Sequence, residues 1–388
     1  MSSYLSIFSA KLEILNNQLP TFREIAEIRQ NLLKEIVPLL NWLENQKETE
    51  NASGSGYQWL VRTLDEIQHS SKQAEELLVL LSLLTDKCHE FSEIEFEFLY
   101  DQTSNLLSIG YNATDLKRDA SFYDLLASEA RLSSFIGIAR GQLPQEHWFA
   151  LGRLLTTTGK GKPTLISWSG SMFEYLMPLL VMPTYENTLL DRTYHAIVAR
   201  QMEYGRQRSI PWGISESGYN ITDTMKNYQY RAFGVPGLGF KRGLSEDLVI
   251  APYAAIMGLM VDPPAAYVNI KEMETLGYEG KYGFYEAVDF TPSRVPPGKK
   301  HAIVQSFMVH HQGMALLSLA YTLLDRPMQK RFEADPILHA TLMLLQEKMP
   351  RIAPFYPHTG DLQGVHKKTG ISESFMRTFN TADTPRPE

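Results

Sequence analysis

Only two of the 25 glycines and two of the 21 prolines in this 388-residue chain fall within its first hundred residues. A segment almost free of helix breakers can run as long helices, whereas a segment rich in them must turn often. The charges divide at the same place. The first hundred residues hold 16 acids and 8 bases, and the remaining residues hold 28 acids and 29 bases. Two differently built regions are therefore expected.

In the first region, Ile28, Leu32, Leu33, Ile36, Leu39, Leu40 and Leu43 recur at three and four, the spacing of one helix face. That helix is expected to end before Glu48. The polar, small residues 51–56 read as a flexible connector. Helical spacing resumes through Trp59, Leu60, Leu64 and Ile67 and then Leu77, Leu80, Leu81 and Leu84. The expectation is a helical bundle with a solvated acidic exterior.

After Tyr100, helical stretches are expected at 121–140, 188–206, 246–261, 302–324 and 336–347, separated by loops crowded with aromatic residues, glutamate and histidine. No run of strands alternating with crossover helices is visible, which argues against a parallel α/β sheet. Long helices joined by elaborate loops suggest an all-α helical barrel with a site at one end, because loops carry function when a rigid scaffold positions them.

Composition excludes several classes. No stretch approaches the apolar length of a membrane span, and the first residues lack the regions of a signal peptide, so a soluble, cytoplasmic chain is expected. The lone Cys88 excludes an internal disulfide framework and a cysteine-based zinc site; it is expected to be buried. With no basic stripe, no nucleic-acid partner is expected. His310 and His311 are adjacent and point about 100° apart on a helix, so they do not suggest a metal site. The glycines of Gly234-Val-Pro-Gly-Leu-Gly239 lack the spacing and strand context of a phosphate loop and read as a tight turn before a helix near Asp247.

Two glutamates carry the chemistry in this reading. Glu216 lies between Trp212 and Tyr219, and Glu286 follows Tyr282, Phe284 and Tyr285. A carboxyl group beside aromatic rings is partly desolvated, which raises its pKa toward the range of a general acid. Two such groups could flank one glycosidic bond. Asp124, expected with Tyr123 to open a helix, can serve either a helix N-terminus or a sugar hydroxyl. Trp168, in a polar turn entering a helix, can pack or stack on a sugar. Rings interleaved with carboxylates and amides suit carbohydrate, whose apolar faces stack while its hydroxyls hydrogen-bond.

The runs Tyr123-Asp-Leu-Leu-Ala-Ser-Glu-Ala-Arg-Leu132, Ser167-Trp-Ser-Gly-Ser-Met-Phe-Glu-Tyr-Leu176, Trp212-Gly-Ile-Ser-Glu-Ser-Gly-Tyr-Asn220, Phe233-Gly-Val-Pro-Gly-Leu-Gly239, Tyr282-Gly-Phe-Tyr-Glu-Ala287 and Phe307-Met-Val-His-His-Gln-Gly-Met314 closely resemble the glycoamylase-like domain of bacterial cyclic β-1,2-glucan synthases. The resemblance implies an (α/α)6 barrel over 96–350, after an N-terminal helical region at 1–95 and before a C-terminal linker at 351–388. It implies a transglycosylase that cuts linear β-1,2-glucan and passes the glycosyl group to the chain's own end, with retention, no cofactor and no metal. Full synthases of this kind are inner-membrane proteins with this domain on the cytoplasmic side, so other synthase domains are implied partners; no membrane contact is expected within this chain. Glu216 and Glu286 would be the catalytic pair, in either order of acid/base and nucleophile. Asp124, Trp168, Trp212, Tyr219, Asn220, Tyr282, Tyr285, His310, His311 and Gln312 would bind substrate. A β-1,2-glucanase and a non-catalytic glucan-binding module are the alternatives.

Overall fold

The computed structural model describes residues 19–46, 54–158 and 162–350. The C-terminal linker expected at 351–388 therefore lies outside the described residues. The chain divides into two compact units, 1–94 and 95–388.

Among its described residues the first unit contains two helices, α1 (Phe22–Gln46) and α2 (Gly54–Ser92). At the start of α1, Thr21 and Glu24 cap each other. The Glu24 carboxylate accepts the Thr21 N–H at 2.7 Å, and Thr21 Oγ1 accepts the Glu24 N–H at 3.3 Å. Leu32, Ile36 and Leu39 of α1 pack with Leu60 of α2, flanked by Ile28, Leu40, Leu64 and Ile67. The apolar spacing of α1 is thus a buried seam.

The same spacing misleads further along α2. Leu77, Leu80, Leu81 and Leu84 are 40–52% exposed, because α2 runs to 39 residues against 25 for α1. Cys88, expected to be buried, is exposed on the same stretch. The expected connector is also shorter, since Gly54 and Gly56 already belong to α2. No helix among the described residues is long and apolar enough to cross a membrane.

In the second unit helix is the commonest regular structure, with short antiparallel ladders between the helices. Its helices are α3 (Arg131–Ala139), α4 (Glu146–Ala150), α5 (Met172–Leu176), α6 (Leu189–Arg208), α7 (Pro252–Met257), α8 (Pro263–Thr275), α9 (Val309–Leu323), α10 (Pro327–Ala334) and α11 (Pro336–Thr341). The ladders used below comprise β1 (Tyr100–Asp101), β2 (Leu106–Ser108), β3 (Phe122–Tyr123), β4 (Ser217–Thr222), β5 (Tyr228–Arg231), β6 (Val249–Ile250), β7 (Ala287–Asp289) and β8 (Ala302–Val304). Strictly all-α is therefore too narrow a description. Phe122 and Tyr123 pair with Ser108 and Leu107 instead of opening a helix, so Asp124 is not a helix N-terminal residue. The helices expected at 246–261 and 302–324 each begin with a strand, β6 and β8. These strands sandwich β7 in one three-stranded sheet. Near Asp247 the chain turns and no helix forms.

One core runs through this unit, including Phe135, Trp148, Tyr175, Leu179, Ile197, Trp212, Val235, Met257 and Val288. The largest helix, α6, is capped at both ends. Thr188 Oγ1 accepts the Asp191 N–H, and Ser209 takes the left-handed conformation (φ 55°). Arg131 is buried at the head of α3, where its guanidinium donates to the carbonyls of Ser128, Glu174 and Tyr175 and to the Tyr194 hydroxyl. It ties α3, α5 and α6 together. Asp289, with no exposure, accepts from Asn220 N–H, Thr291 N–H and Arg294. That network fixes β4 against β7.

The glycine-rich run at 234–239 has a packing role. Ser167 N–H donates to Leu238 O at 3.0 Å, Phe240 N–H to Ser167 O at 3.1 Å and Lys241 N–H to Trp168 O at 2.9 Å. A Cβ on Gly234 would fall 1.7 Å from Ser169 O, and one on Gly239 2.5 Å from Ser169 C. These glycines let two loop backbones touch. Backbone cannot give way as a side-chain tip can, so Gly234→Ala is expected to lower unfolding stability by about 3 kcal/mol or more, at or beyond the upper end of overpacking costs. Its denaturant midpoint, compared with that of Gly313→Ala at an open site without a left-handed backbone, checks this.

Candidate active site

The turn Ser167-Trp-Ser-Gly-Ser171 wraps around one carboxylate. Ser171 is the N-cap of α5 and forms a capping box with Glu174. The Glu174 carboxylate also accepts from Ser167 Oγ, Ser169 N and Ser169 Oγ. With its acceptor positions filled, Glu174 is a structural anion that holds the turn. The turn presents Trp168, half exposed, whose indole N–H donates to Asp124 Oδ1 at 2.7 Å. Beneath lies a cavity of about 550 Å³ lined by Tyr123, Asp124, Ser128, Glu129, Trp168 and Glu174. That volume is in the usual range for a ligand pocket.

Glu216 sits where the chain enters β4, half-buried, and its neighbours decide its chemistry. Burial pushes its carboxyl up to about 7, and the charges of Glu129 and Glu174 push in the same direction. Glu129 is also raised, mainly by burial and then by Glu174, against which Ser128 Oγ donates a hydrogen bond at 3.2 Å. The Tyr123 phenol is raised by burial and by Glu129 and Glu216. Asp124, Trp168 and Glu216 are thus brought to one region. Glu129 and Tyr123 join them, and sequence reasoning had not singled out Glu129.

Glu286 occupies a second neighbourhood. Its side chain has no exposure. Oε1 accepts the Gly218 N–H at 3.0 Å, and Oε2 lies 2.9 Å from His311 Nδ1. His311 on α9 is buried and stacks on Tyr253, with ring centroids 3.7 Å apart and planes at 11°. Its Nε2 faces the Tyr230 hydroxyl at 3.3 Å. Tyr285 and Gln312 line the adjoining cavity of about 350 Å³, and Gln312 donates to Phe284 O. His310 is exposed, with its ring 6.4 Å from Tyr230; burial, then His311, lowers its pKa.

Two tyrosines connect these neighbourhoods. Tyr253 O–H donates to the Glu216 carbonyl at 2.9 Å and lies at the same distance from Ser215 Oγ. The Tyr230 phenol is raised by burial and by the charges of both Glu216 and Glu286.

The other expected binding residues have structural positions. Trp212 is buried in the core, its backbone held by both ends of the Asn269 amide and its ring against Gly258. Tyr219 packs edge-on against Phe233 and beneath the Arg294 guanidinium. Asn220 donates its side-chain amide to Arg294 O. Tyr282 is 70% exposed beside Lys281 and Phe307. The aromatic flanks of Glu216 thus pack into the wall of the unit.

A carboxyl raised to about 7, a second raised carboxyl whose charge acts on it and a half-exposed indole are brought together here. Residues 121–336 match the Glycoamylase family model, described as putative glucoamylase, and the chain belongs to that family. Over 281 residues, 72% of the chain, it is 45% identical to the cyclic beta-(1,2)-glucan synthase NdvB of Rhizobium meliloti, of whose length it spans 10%. Among solved structures it resembles a putative glucoamylase from Bacteroides uniformis, with a TM-score of 0.50 and 14% identity over 75% of this chain and 67% of that one. An endo-beta-1,2-glucanase from Chitinophaga pinensis aligns with a TM-score of 0.47 and 15% identity, over 74% and 66% of the two chains. The likeness to the Bacteroides protein is one of fold.

The raised carboxyl has a consequence for stability. Glu216 goes from an ordinary 4.5 to about 7 on folding, so the folded state binds the proton more tightly. Its favourable contribution is complete below about pH 4.5 and is lost as pH rises through 7. Glu216→Gln, which cannot ionise, is expected to be more stable than the parent above pH 7, by up to about 3 kcal/mol, with the difference closing below pH 4.5. Thermal or denaturant unfolding at pH 4.5, 6 and 8 reads this directly.

Proposed function

We propose that this chain is a carbohydrate-active domain with an (α/α)6 barrel that cleaves linear β-1,2-glucan and passes the glycosyl group onward within the same glucan, yielding cyclic β-1,2-glucan. The substrate class rests on the similarity to the Rhizobium synthase. The chemistry rests on Glu216, held protonated near neutral pH in contact with the charge of a second carboxylate. The remaining length of the relative suggests further synthase domains as partners.

In this reading Glu216 is the general acid. Glu129 lines the cavity, and its negative charge, with that of Glu174, adds to the burial that keeps the Glu216 proton in place. Two carboxyls whose environments separate their proton affinities can divide acid and nucleophile roles between them. Glu216 protonates the departing glycosidic oxygen while Glu129 meets the anomeric carbon. The incoming sugar hydroxyl oxygen then bonds to the anomeric carbon as the Glu129–carbon bond breaks, and Glu216 takes the hydroxyl proton.

The sequence assigned the partner role to Glu286. Its carboxylate has no exposure, and both oxygens already accept hydrogen bonds, from Gly218 and His311. Held between these two partners, Glu286 belongs to the second neighbourhood, and Glu129, which lines the cavity beside Asp124 and Trp168, is assigned as nucleophile instead. Asp124 and Trp168 bind sugar at the cavity mouth. A partly exposed ring tied by its N–H can offer its face to a sugar while the adjacent carboxylate accepts hydroxyls.

Product analysis with linear β-1,2-glucan tests the reading. Cyclic or redistributed glucans are expected; net growth of reducing ends would identify a hydrolase, and binding without turnover a non-catalytic module. Glu216→Gln and Glu129→Gln are each expected to lose at least 10²-fold in kcat, the lower end of what one acid–base group contributes. The parent's kcat is expected to fall as pH rises above about 7, when Glu216 surrenders its proton. A profile flat from pH 6 to 9 would remove Glu216 from the acid role.

A further inference from the structure

The cluster around His311 is too specifically wired to be packing alone. The pairing of Gly218 with Tyr230 across β4 and β5 places Tyr230 two residues from Glu216 along the ladder. Gly218 also offers its N–H to Glu286. A Cβ there would come within 3.3 Å of Glu286 Cγ, so the glycine permits the close approach. Glu286, His311 and Tyr230 then follow in a line, at 2.9 Å from Oε2 to Nδ1 and 3.3 Å from Nε2 to the phenolic oxygen. Tyr253 stacks on the imidazole and grips the Glu216 backbone, which keeps the ring from turning.

The polarity of this line follows from the donors. Glu286 accepts on both oxygens, one of them from a backbone N–H that can only donate. With Glu286 as the carboxylate acceptor, the tautomer that fits is the one with the proton on Nδ1 of His311 and Nε2 as an acceptor. The Tyr230 hydroxyl must then donate to Nε2. Its proton is committed inward, and its oxygen presents only lone pairs outward. Tyr230 is 41% exposed, although its neighbour His311 is buried.

We propose that Glu286, His311 and Tyr230 form a hydrogen-bond chain of fixed polarity that makes the Tyr230 phenolic oxygen an acceptor for a hydroxyl of the glucan bound beside Glu216. Tyr230 touches substrate, whereas His311 and Glu286 are positioning residues that act through it. The inference rests on the glucan-processing reading and extends it to a binding contact for a sugar hydroxyl. No proton leaves the chain in this role.

Two conservative variants separate it from a structural role. Tyr230→Phe keeps the ring and removes the acceptor. In Glu286→Gln the amide carbonyl still accepts from Gly218, so the NH₂ meets His311 Nδ1 and forces the imidazole proton to Nε2. The Tyr230 oxygen then accepts from His311 and its proton turns outward, which reverses the polarity. With linear β-1,2-glucan, Tyr230→Phe is expected to lose at least tenfold in kcat/KM. Glu286→Gln should fall within tenfold of that loss, and the double variant should be no worse than the poorer single one. Nuclear magnetic resonance of isotope-labelled histidine should show the His311 proton moving between ring nitrogens in Glu286→Gln.

Three results would overturn the chain. They are a Tyr230→Phe loss below tenfold, a double variant that multiplies the two single losses, or a Glu286→Gln loss more than tenfold beyond that of Tyr230→Phe. The last would put Glu286 in bond chemistry. Should Glu286→Gln fail to fold, the Tyr230→Phe result decides alone. Turnover by the parent chain is the reference: its absence would refute the glucan reading, whereas parent turnover unchanged in Tyr230→Phe refutes only the chain.

Discussion

The Glu174 carboxylate is the interaction on which the site depends. Backbone and side-chain donors from Ser167, Ser169 and Ser171 converge on it, which fixes a short loop at the start of a five-residue helix. A buried anion with this many donors is expensive to assemble and strongly directional once assembled. Arg131 supports it from below by holding the carbonyl of the same residue. The single group does two jobs. It shapes the loop that carries Trp168, and its charge helps keep a proton on Glu216. Fold and chemistry are coupled through one side chain.

The site divides into two neighbourhoods joined by tyrosine. Around Glu216, partial burial and like charge retain a proton. Around Glu286, a backbone amide and an imidazole occupy a carboxylate. Both residues are glutamates that follow aromatic residues in sequence, yet their surroundings assign them opposite parts. What separates them is the number of donors: among the described residues none reaches the Glu216 carboxyl, against two partners for Glu286.

Local sequence patterns made some of this legible. The apolar spacing of α1 and the helical stretch expected at 188–206 correspond to observed helices. Glu216 was marked by its aromatic flanks, though Trp212 turned out to be core and Tyr219 a packing partner of Phe233. Other features depend on contacts distant in sequence. Phe122 and Tyr123 sit in a helix-compatible stretch and become a strand because Leu107 and Ser108 are there to pair with them. Glu129 has no distinctive flanks, and only the folded chain brings its charge against Glu216. Helix α8 was missed although Asp262 followed by Pro263 and Pro264 is a readable start, with Asp262 accepting from Ala265 N–H. The apolar stretch late in α2 shows the converse, where periodicity continues with no packing partner among the described residues and the leucines are exposed.

The hydrogen bond from Trp168 to Asp124 has a thermodynamic meaning for whatever sugar meets that ring. A half-exposed tryptophan on a loop would ordinarily sample several rotamers and lose that freedom on stacking. Here the loop is held from beneath by Glu174, and the indole is already tethered at its nitrogen. The ordering cost, about 0.5–1.5 kcal/mol for an immobilised side chain at an interface, has been met during folding. The platform is preorganised, so a weakly bound, freely sliding polymer could be held in register by a surface that does not need to rearrange to receive it.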